Sequence, residues 1–242
     1  MKLRVLLLLF TALVVLAVPA AAQDEALLSF TGYDYQTDPG APNGVYLALG
    51  DSYYAVGFVT SFHPTWLDPY VDTGMNEYTF YQYGLVVDSY SFSGGVLVVT
   101  FASGGRVEYY EDPSKDATNP PNPPNCPKYG SLPPPNADSP SKFSNGLAAI
   151  TGTLPNASLY FDYNFGQGGF QSEMDIDGGA YASYVPAPSW NGWFMSGLAT
   201  PPPGGNPCAA PPGYDHQLAG ECRHPVVSAT HGTWGALKKL YR

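Results

Sequence analysis

Residues 158–185 read SLYFDYNFGQGGFQSEMDIDGGAYASYV. Leu159, Phe161, Tyr163 and Phe165 alternate with Ser158, Tyr160, Asp162 and Asn164; after Gly166-Gln167-Gly168-Gly169, Phe170, Met174 and Ile176 alternate with Gln171, Glu173 and Asp175. Successive side chains leave a pleated strand on opposite faces, so a period of two marks a half-buried strand. The stretch predicts two strands joined by a tight turn. Asp177-Gly178-Gly179 predicts a second hairpin turn, because glycine adopts the positive φ that the twist of paired strands demands, and a three-stranded meander results.

The same patterning predicts strands over 27–35, 45–49, 53–62, 78–87, 96–101, 106–111, 147–154 and 193–198. No stretch of helical period longer than about two turns precedes the C-terminus. Many short strands parted by Gly, Pro, Asn and Asp predict an all-β domain over 23–227, an antiparallel, jelly-roll-like β-sandwich. Nineteen tyrosines fit that reading, since tyrosine suits half-buried pleated surface. Two proline-rich segments, 113–140 and 186–212, interrupt the pattern, and the first has ten prolines in 28 residues. Proline can continue neither a helix nor a central strand, so both read as long loops.

The first 22 residues have the three parts of an export signal. Basic Lys2 and Arg4 precede an apolar run over 5–18, and small residues Ala20, Ala21 and Ala22 follow, so cleavage is expected before Gln23. The run is shorter than the roughly 20 residues that cross a bilayer, and the body offers no second spanning segment. Location outside the cytoplasm is the expectation, either secreted or in the cell envelope. Loss of Lys2 and Arg4 takes the formal charge from −10 to −12. Nucleic acid is thereby excluded as a partner, because phosphate backbones need a basic patch.

The three cysteines, Cys126, Cys208 and Cys222, all fall in the exported part, where a bridge is favoured. Cys208 with Cys222 closes a short Pro/Gly-rich loop, and Cys126 with Cys208 is the competing pair. Metal chemistry has one candidate. If Phe165 and Phe170 flank their turn symmetrically, Asp162 faces Glu173, and Ca²⁺ held by Asp162, Glu173 and Asn164 would relieve the repulsion; the competing reading is a solvated acidic face with no cofactor. Trp190 and Trp193 are candidates for stacking on a carbohydrate, against a core-packing role. The tail 228–242 is read as a short amphipathic helix from Thr233. Trp234, Leu237 and Tyr241 share one face, and Lys238, Lys239 and Arg242 sit at the C-terminal end, where the helix dipole favours them. It is either docked on the domain or a recognition element for a cell-surface or sorting component.

Two stretches carry resemblances. Tyr46-Leu47-Ala48-Leu49-Gly50-Asp51-Ser52-Tyr53 resembles the nucleophile block of the SGNH hydrolases, secreted esterases and lipases. That resemblance implies Ser52 as nucleophile, with Glu221 and His224 standing where the family has Asp-x-x-His. The chain departs from that family in lacking a helix pattern after the serine and a Gly-x-Asn-Asp block. The signal, the string Asn76-Glu77-Tyr78-Thr79-Phe80-Tyr81-Gln82-Tyr83-Gly84-Leu85 and the string Pro140-Ser141-Lys142-Phe143-Ser144-Asn145-Gly146 resemble uncharacterised exported bacterial β-sandwich proteins with short C-terminal sorting tags, often PEP-CTERM segments. This chain has the basic end of such a tag but neither the Pro-Glu-Pro nor the spanning helix. The resemblance implies a non-enzymatic surface or extracellular protein that acts by binding or assembly; the alternative is the SGNH-like esterase.

Overall fold

The computed structural model describes residues 26–36, 47–117, 141–200 and 216–224. The expected signal peptide, Cys126, Cys208, most of the first proline-rich loop, residues 201–212 of the second and the tail with Trp234, Leu237, Lys238, Lys239, Tyr241 and Arg242 lie outside them. Ten strands are formed: β1 (Ala26–Gln36), β2 (Ser52–Phe62), β3 (Glu77–Ser93), β4 (Val96–Phe101), β5 (Gly105–Asp112), β6 (Leu147–Leu154), β7 (Ala157–Asp162), β8 (Gln167–Gly178), β9 (Trp193–Thr200) and β10 (His216–Arg223). Among the described residues the only helical pieces are short 3-10 turns.

The long β3 pairs with β5 through its first half, Glu77↔Asp112 to Tyr83↔Arg106, and with β4 through its second, Val87↔Phe101 to Ser93↔Val96. β4 and β5 are therefore two segments of one stave, bent at 102–104. β6 and β7 are likewise one stave, parted at Pro155-Asn156, and β8 pairs along both. Counted this way, eight antiparallel staves follow one another in sequence order, and β10 closes onto β1 from Ala26↔Arg223 to Asp34↔His216. This corrects the expected sandwich: the sheet closes on itself as an up-and-down barrel. Period-two alternation is common to both architectures, and what separates them is the pairing of the first strand with the last.

That last strand carries almost no strand signal. His216-Gln217-Leu218-Ala219-Gly220-Glu221-Cys222-Arg223 contains no β-branched residue. Its inward residues are Leu218, Gly220 and Cys222, and Gly220 is there for a reason of space. An eight-stave lumen is only just wide enough to be filled by side chains, and here phenylalanines lie over glycines of neighbouring strands. Phe30 pairs with Gly220, Gly220 with Gly197, and Gly197 with Phe170. Phe80 in turn pairs with Gly57, and Gly57 with Gly32. A Cβ on Gly220 would come within 2.4 Å of the Ser196 carbonyl and about 3 Å of both the Phe30 and Phe170 rings. Leu97, Val99, Val107, Tyr109, Ile150, Leu154, Leu159, Met174, Trp193 and Met195 fill the rest, each no more than 3% exposed. Register shifts in β1, β2, β3, β5 and β6 supply the local bends that closure needs.

We call the end where β1 finishes the top. Trp193, Trp66 and Leu67 close the bottom, with Trp66 edge-on to Trp193 at 6.1 Å. The strand expected directly after Gly179 is replaced by the 3-10 turns Ala182–Tyr184 and Ala187–Ser189, and Pro186 and Pro188 have no N–H to give to a ladder. Residues 47–49 of the strand expected over 45–49 are not a strand. Outside the barrel, Tyr33, Tyr35, Val56 and Phe58 form a second buried layer with Ala117 and Phe143 from the two ends of the β5–β6 crossover. None of the described residues forms a helix long and apolar enough to cross a membrane. The outward positions of β8 are Gln171, Glu173, Asp175 and Asp177, the reverse of the apolar band that a lipid-facing strand presents.

Gly220→Val should lower unfolding stability by about 1–3 kcal/mol through overpacking, measured by urea denaturation. Ala219→Val, one residue away on the outer face, should change it by less than about 0.5 kcal/mol.

Candidate functional site

The residues singled out from sequence are mostly kept apart. Ser52 begins β2 at the top, whereas His224 follows β10 at the bottom, edge-on to Trp193 at 5.0 Å. Glu221 points outward and accepts from the Arg223 guanidinium. The set Ser52, Glu221 and His224 is therefore not assembled. The β7–β8 turn spans 163–166, so Asp162 pairs with Gln167 and Tyr160 with Gly169. Glu173 lies six residues further along β8, about 20 Å of strand, where it accepts from the Asn156 side chain at 2.8 Å. Asp162 accepts from the backbone N–H of Asn164 at 2.9 Å, and the Asn164 amide donates to the Gly94 carbonyl. Asp162, Glu173 and Asn164 thus do not converge. The register differs because Phe161 and Phe170 point inward while Phe165 is left in the turn, 79% exposed.

Trp193 is fully buried in the lumen, and half-buried Trp190 donates its Nε1–H to the Val185 carbonyl at 2.9 Å. These are core contacts, and neither ring is a platform for a sugar. Cys222 carries a free thiol in the lumen with no exposure. Burial pushes that thiol far above its ordinary range, which suppresses the reactive thiolate.

The structure assembles an acidic cluster that the sequence reading overlooked. Glu77 and Asp112 face each other directly across β3 and β5, both on the outer side and both buried. Asp116 joins them, and one carboxylate oxygen of each lies within 4.8 Å of the others. Like charges opposed across a sheet destabilise it unless something compensates. The Glu77 carboxylate accepts the Ala117 N–H at 2.8 Å; Asp112 accepts the Ser114 N–H at 2.8 Å and its hydroxyl at 2.7 Å. Asn145 donates to both Asp116 oxygens at 3.3 Å, and Lys142 Nζ donates to the Asp116 carbonyl at 3.4 Å. Residues 112–117 are therefore tied to Glu77 through Ala117 and to 142–145 through Asp116.

Every potential ligand in the cluster is an oxygen: three carboxylates and the Ser114 hydroxyl. That donor set suits a hard cation such as Ca²⁺ and offers nothing to zinc. The signal in the sequence was Asp112-Pro113-Ser114-Lys115-Asp116, in which alternate residues carry oxygen, the spacing that opens a calcium loop. Glu77 could not be foreseen, since it lies 35 residues away and arrives only through strand pairing.

A second buried polar group lies at the top of the lumen. Asp34, fully buried, accepts the Tyr53 hydroxyl at 2.8 Å, the His216 backbone N–H at 2.7 Å and His216 Nδ1 at 3.0 Å. Gln36, the next inward residue of β1, is 2% exposed, and its side-chain Nε2 and Oε1 make no hydrogen bond among the described residues.

Comparison with protein-family models, with curated proteins and with solved structures finds no match.

Peptide mapping under non-reducing conditions should recover Cys222 as a thiol, unmodified by alkylation of the native protein and modified once it is unfolded. Recovery in a bridge to Cys208 would contradict the buried free thiol.

Proposed function

We propose that this chain is an exported, non-enzymatic protein that acts by binding or assembly outside the cytoplasm. In that reading, Glu77, Asp112 and Asp116 hold a Ca²⁺ ion that fastens the proline-rich crossover to the barrel wall. The convergence of three carboxylates, two of them buried and directly opposed, is the observation that carries the reading. A lumen packed with side chains supports binding through surface and ends over chemistry inside. The separation of Ser52 from His224 removes the geometric basis for the esterase alternative. The apolar run and small residues at 5–22 support export, and the cationic tail supports a partner at the cell surface.

Oxygen-ligated sites of extracellular modules bind Ca²⁺ at about 10⁻⁴–10⁻³ M. Calcium at ten to a hundred times that Kd stabilises the folded state by about 1.4–2.7 kcal/mol, a rise in Tm of several degrees for a domain of this size. The expected result is such a rise over chelator in the wild type and in Asp162→Asn, and its loss in Asp112→Asn. If the cluster holds no ion, calcium leaves the wild-type Tm unchanged and Asp112→Asn raises it, because repulsion is relieved. A fluorophosphonate probe should leave Ser52 unlabelled; stoichiometric labelling abolished by Ser52→Ala would restore the esterase.

A further inference from the structure

The inward side of β1 runs Phe30, Gly32, Asp34, Gln36 from bottom to top, so Gln36 extends the same row as Asp34 by one step. The two residues differ sharply in how they are satisfied. Asp34 takes three hydrogen bonds from Tyr53 and His216, which locks both partners in place. Gln36 takes none among the described residues although it is 2% exposed. A primary amide has two donors and an acceptor with two lone pairs. Leaving them buried and unpaired carries the desolvation cost of each group, which an apolar residue of the same shape would avoid. Such a group calls for a partner beyond the described side chains.

The surroundings of this row are aromatic. Phe161 lies against His216 at 4.7 Å between ring centres, Tyr163 against Phe161 at 4.9 Å, and Phe92 against Tyr163 at 5.9 Å. Tyr90 and Phe92 pair with Val99 and Leu97, so they share the inward face of the β3–β4 hairpin. The hairpin reaches past the filled lumen, and there the two rings remain 48% and 50% exposed. At the bottom of the barrel the buried Trp193 Nε1–H is likewise without a hydrogen-bond partner among the described residues, but a single donor on a core ring is all that is open there, and Glu111 is met by Tyr78, Tyr181 and Asn76.

We propose that the top of the barrel binds a small planar organic molecule with an amide-like edge, one acceptor beside one donor, as in an aromatic carboxamide or a lactam. Its edge pairs in two hydrogen bonds with the Gln36 side chain, and its ring packs among Phe161, Tyr163 and Phe92. Asp34 is the positioning residue, holding Tyr53 and His216 so that the wall beside Gln36 keeps its shape. Selectivity follows from the same amide. A ligand lacking the donor leaves a buried group of Gln36 unpaired, and a site built to hydrogen-bond discriminates strongly against such analogues.

Benzamide and acetophenone are the probes, equal in shape and differing in the N–H donor. Saturation-transfer NMR and calorimetry on the full chain, each in calcium and in chelator, separate this site from the metal centre. Benzamide should bind at least tenfold more tightly than acetophenone in both conditions. Gln36→Leu should abolish that preference while raising Tm, as should Gln36→Met, which keeps the side-chain length should leucine not be tolerated. Absence of benzamide binding at millimolar concentration, or equal affinity of the two probes in the wild type, would overturn the site. So would a preference unchanged in both Gln36 variants.

Discussion

A closed ring of eight staves has room for only a limited volume of side chain, and the pairing of inward phenylalanine with inward glycine is how this chain meets that limit. Phe30, Phe80 and Phe170 each reach over a neighbouring strand, and Gly32, Gly57, Gly197 and Gly220 clear the space beneath them. Removal of the Cβ is what lets β10 lie against β1 and β9 with ordinary strand spacing, so closure of the barrel and filling of its core are one event. Burial of the phenylalanines supplies the driving force, on the order of 1.5–3 kcal/mol per large apolar side chain. The glycines give up conformational freedom on folding in return.

That arrangement explains what was legible in the sequence. Strands whose inward residues are large read clearly: Met174 and Ile176 alternate with Glu173, Asp175 and Asp177, and the β-branched run Val96–Phe101 declares itself by composition. β10 was invisible because its inward positions had been given up to other strands' side chains, leaving Leu218, Gly220 and Cys222 to carry a pattern that Ala219 dilutes. Without β10 there is no partner for β1, and an unclosed meander with long loops resembles half of a sandwich. The acidic triad was hidden for a related reason. Asp112, Ser114 and Asp116 can be read from local spacing, but Glu77 joins them only through the register of β3 on β5. A symmetric turn had been assumed between Phe165 and Phe170, and it displaced the β7–β8 register; inward packing of Phe161 and Phe170 decided the register instead.

The outer face of β1, β2 and β3 follows a different logic. Tyr35, Tyr54, Tyr81 and Tyr83 stack in succession, with ring centres 4.9, 6.3 and 4.8 Å apart. Burial, with the neighbouring Tyr54 adding to it, pushes the Tyr81 hydroxyl up to about 12. The apolar layer under Ala117 and Phe143 holds the described ends of the crossover by area, and area is indifferent to direction. Orientation has to come from polar contacts. The Thr79 hydroxyl donates to the Phe143 carbonyl at 2.9 Å, and the carboxylates gather at the margin of the layer.

The two polar groups therefore stand in contrasting relation to the fold. Packing alone specifies the barrel, and neither Asp34 with Gln36 inside nor Glu77 with Asp112 outside is needed for it, since apolar residues at those positions would satisfy the same alternation. Buried charges and amides are retained against a desolvation cost of several kcal/mol per ion or about 1–3 kcal/mol per neutral group. Inside the lumen Tyr53 and His216 offset that cost at Asp34, and at Gln36 the proposed ligand would offset it through its amide edge. On the outer face it falls between the barrel and a segment anchored at both ends, where a cation would turn repulsion into attachment. A fold with a filled core has little freedom to change shape at its centre, so its capacity to respond to the surroundings is concentrated at these two margins.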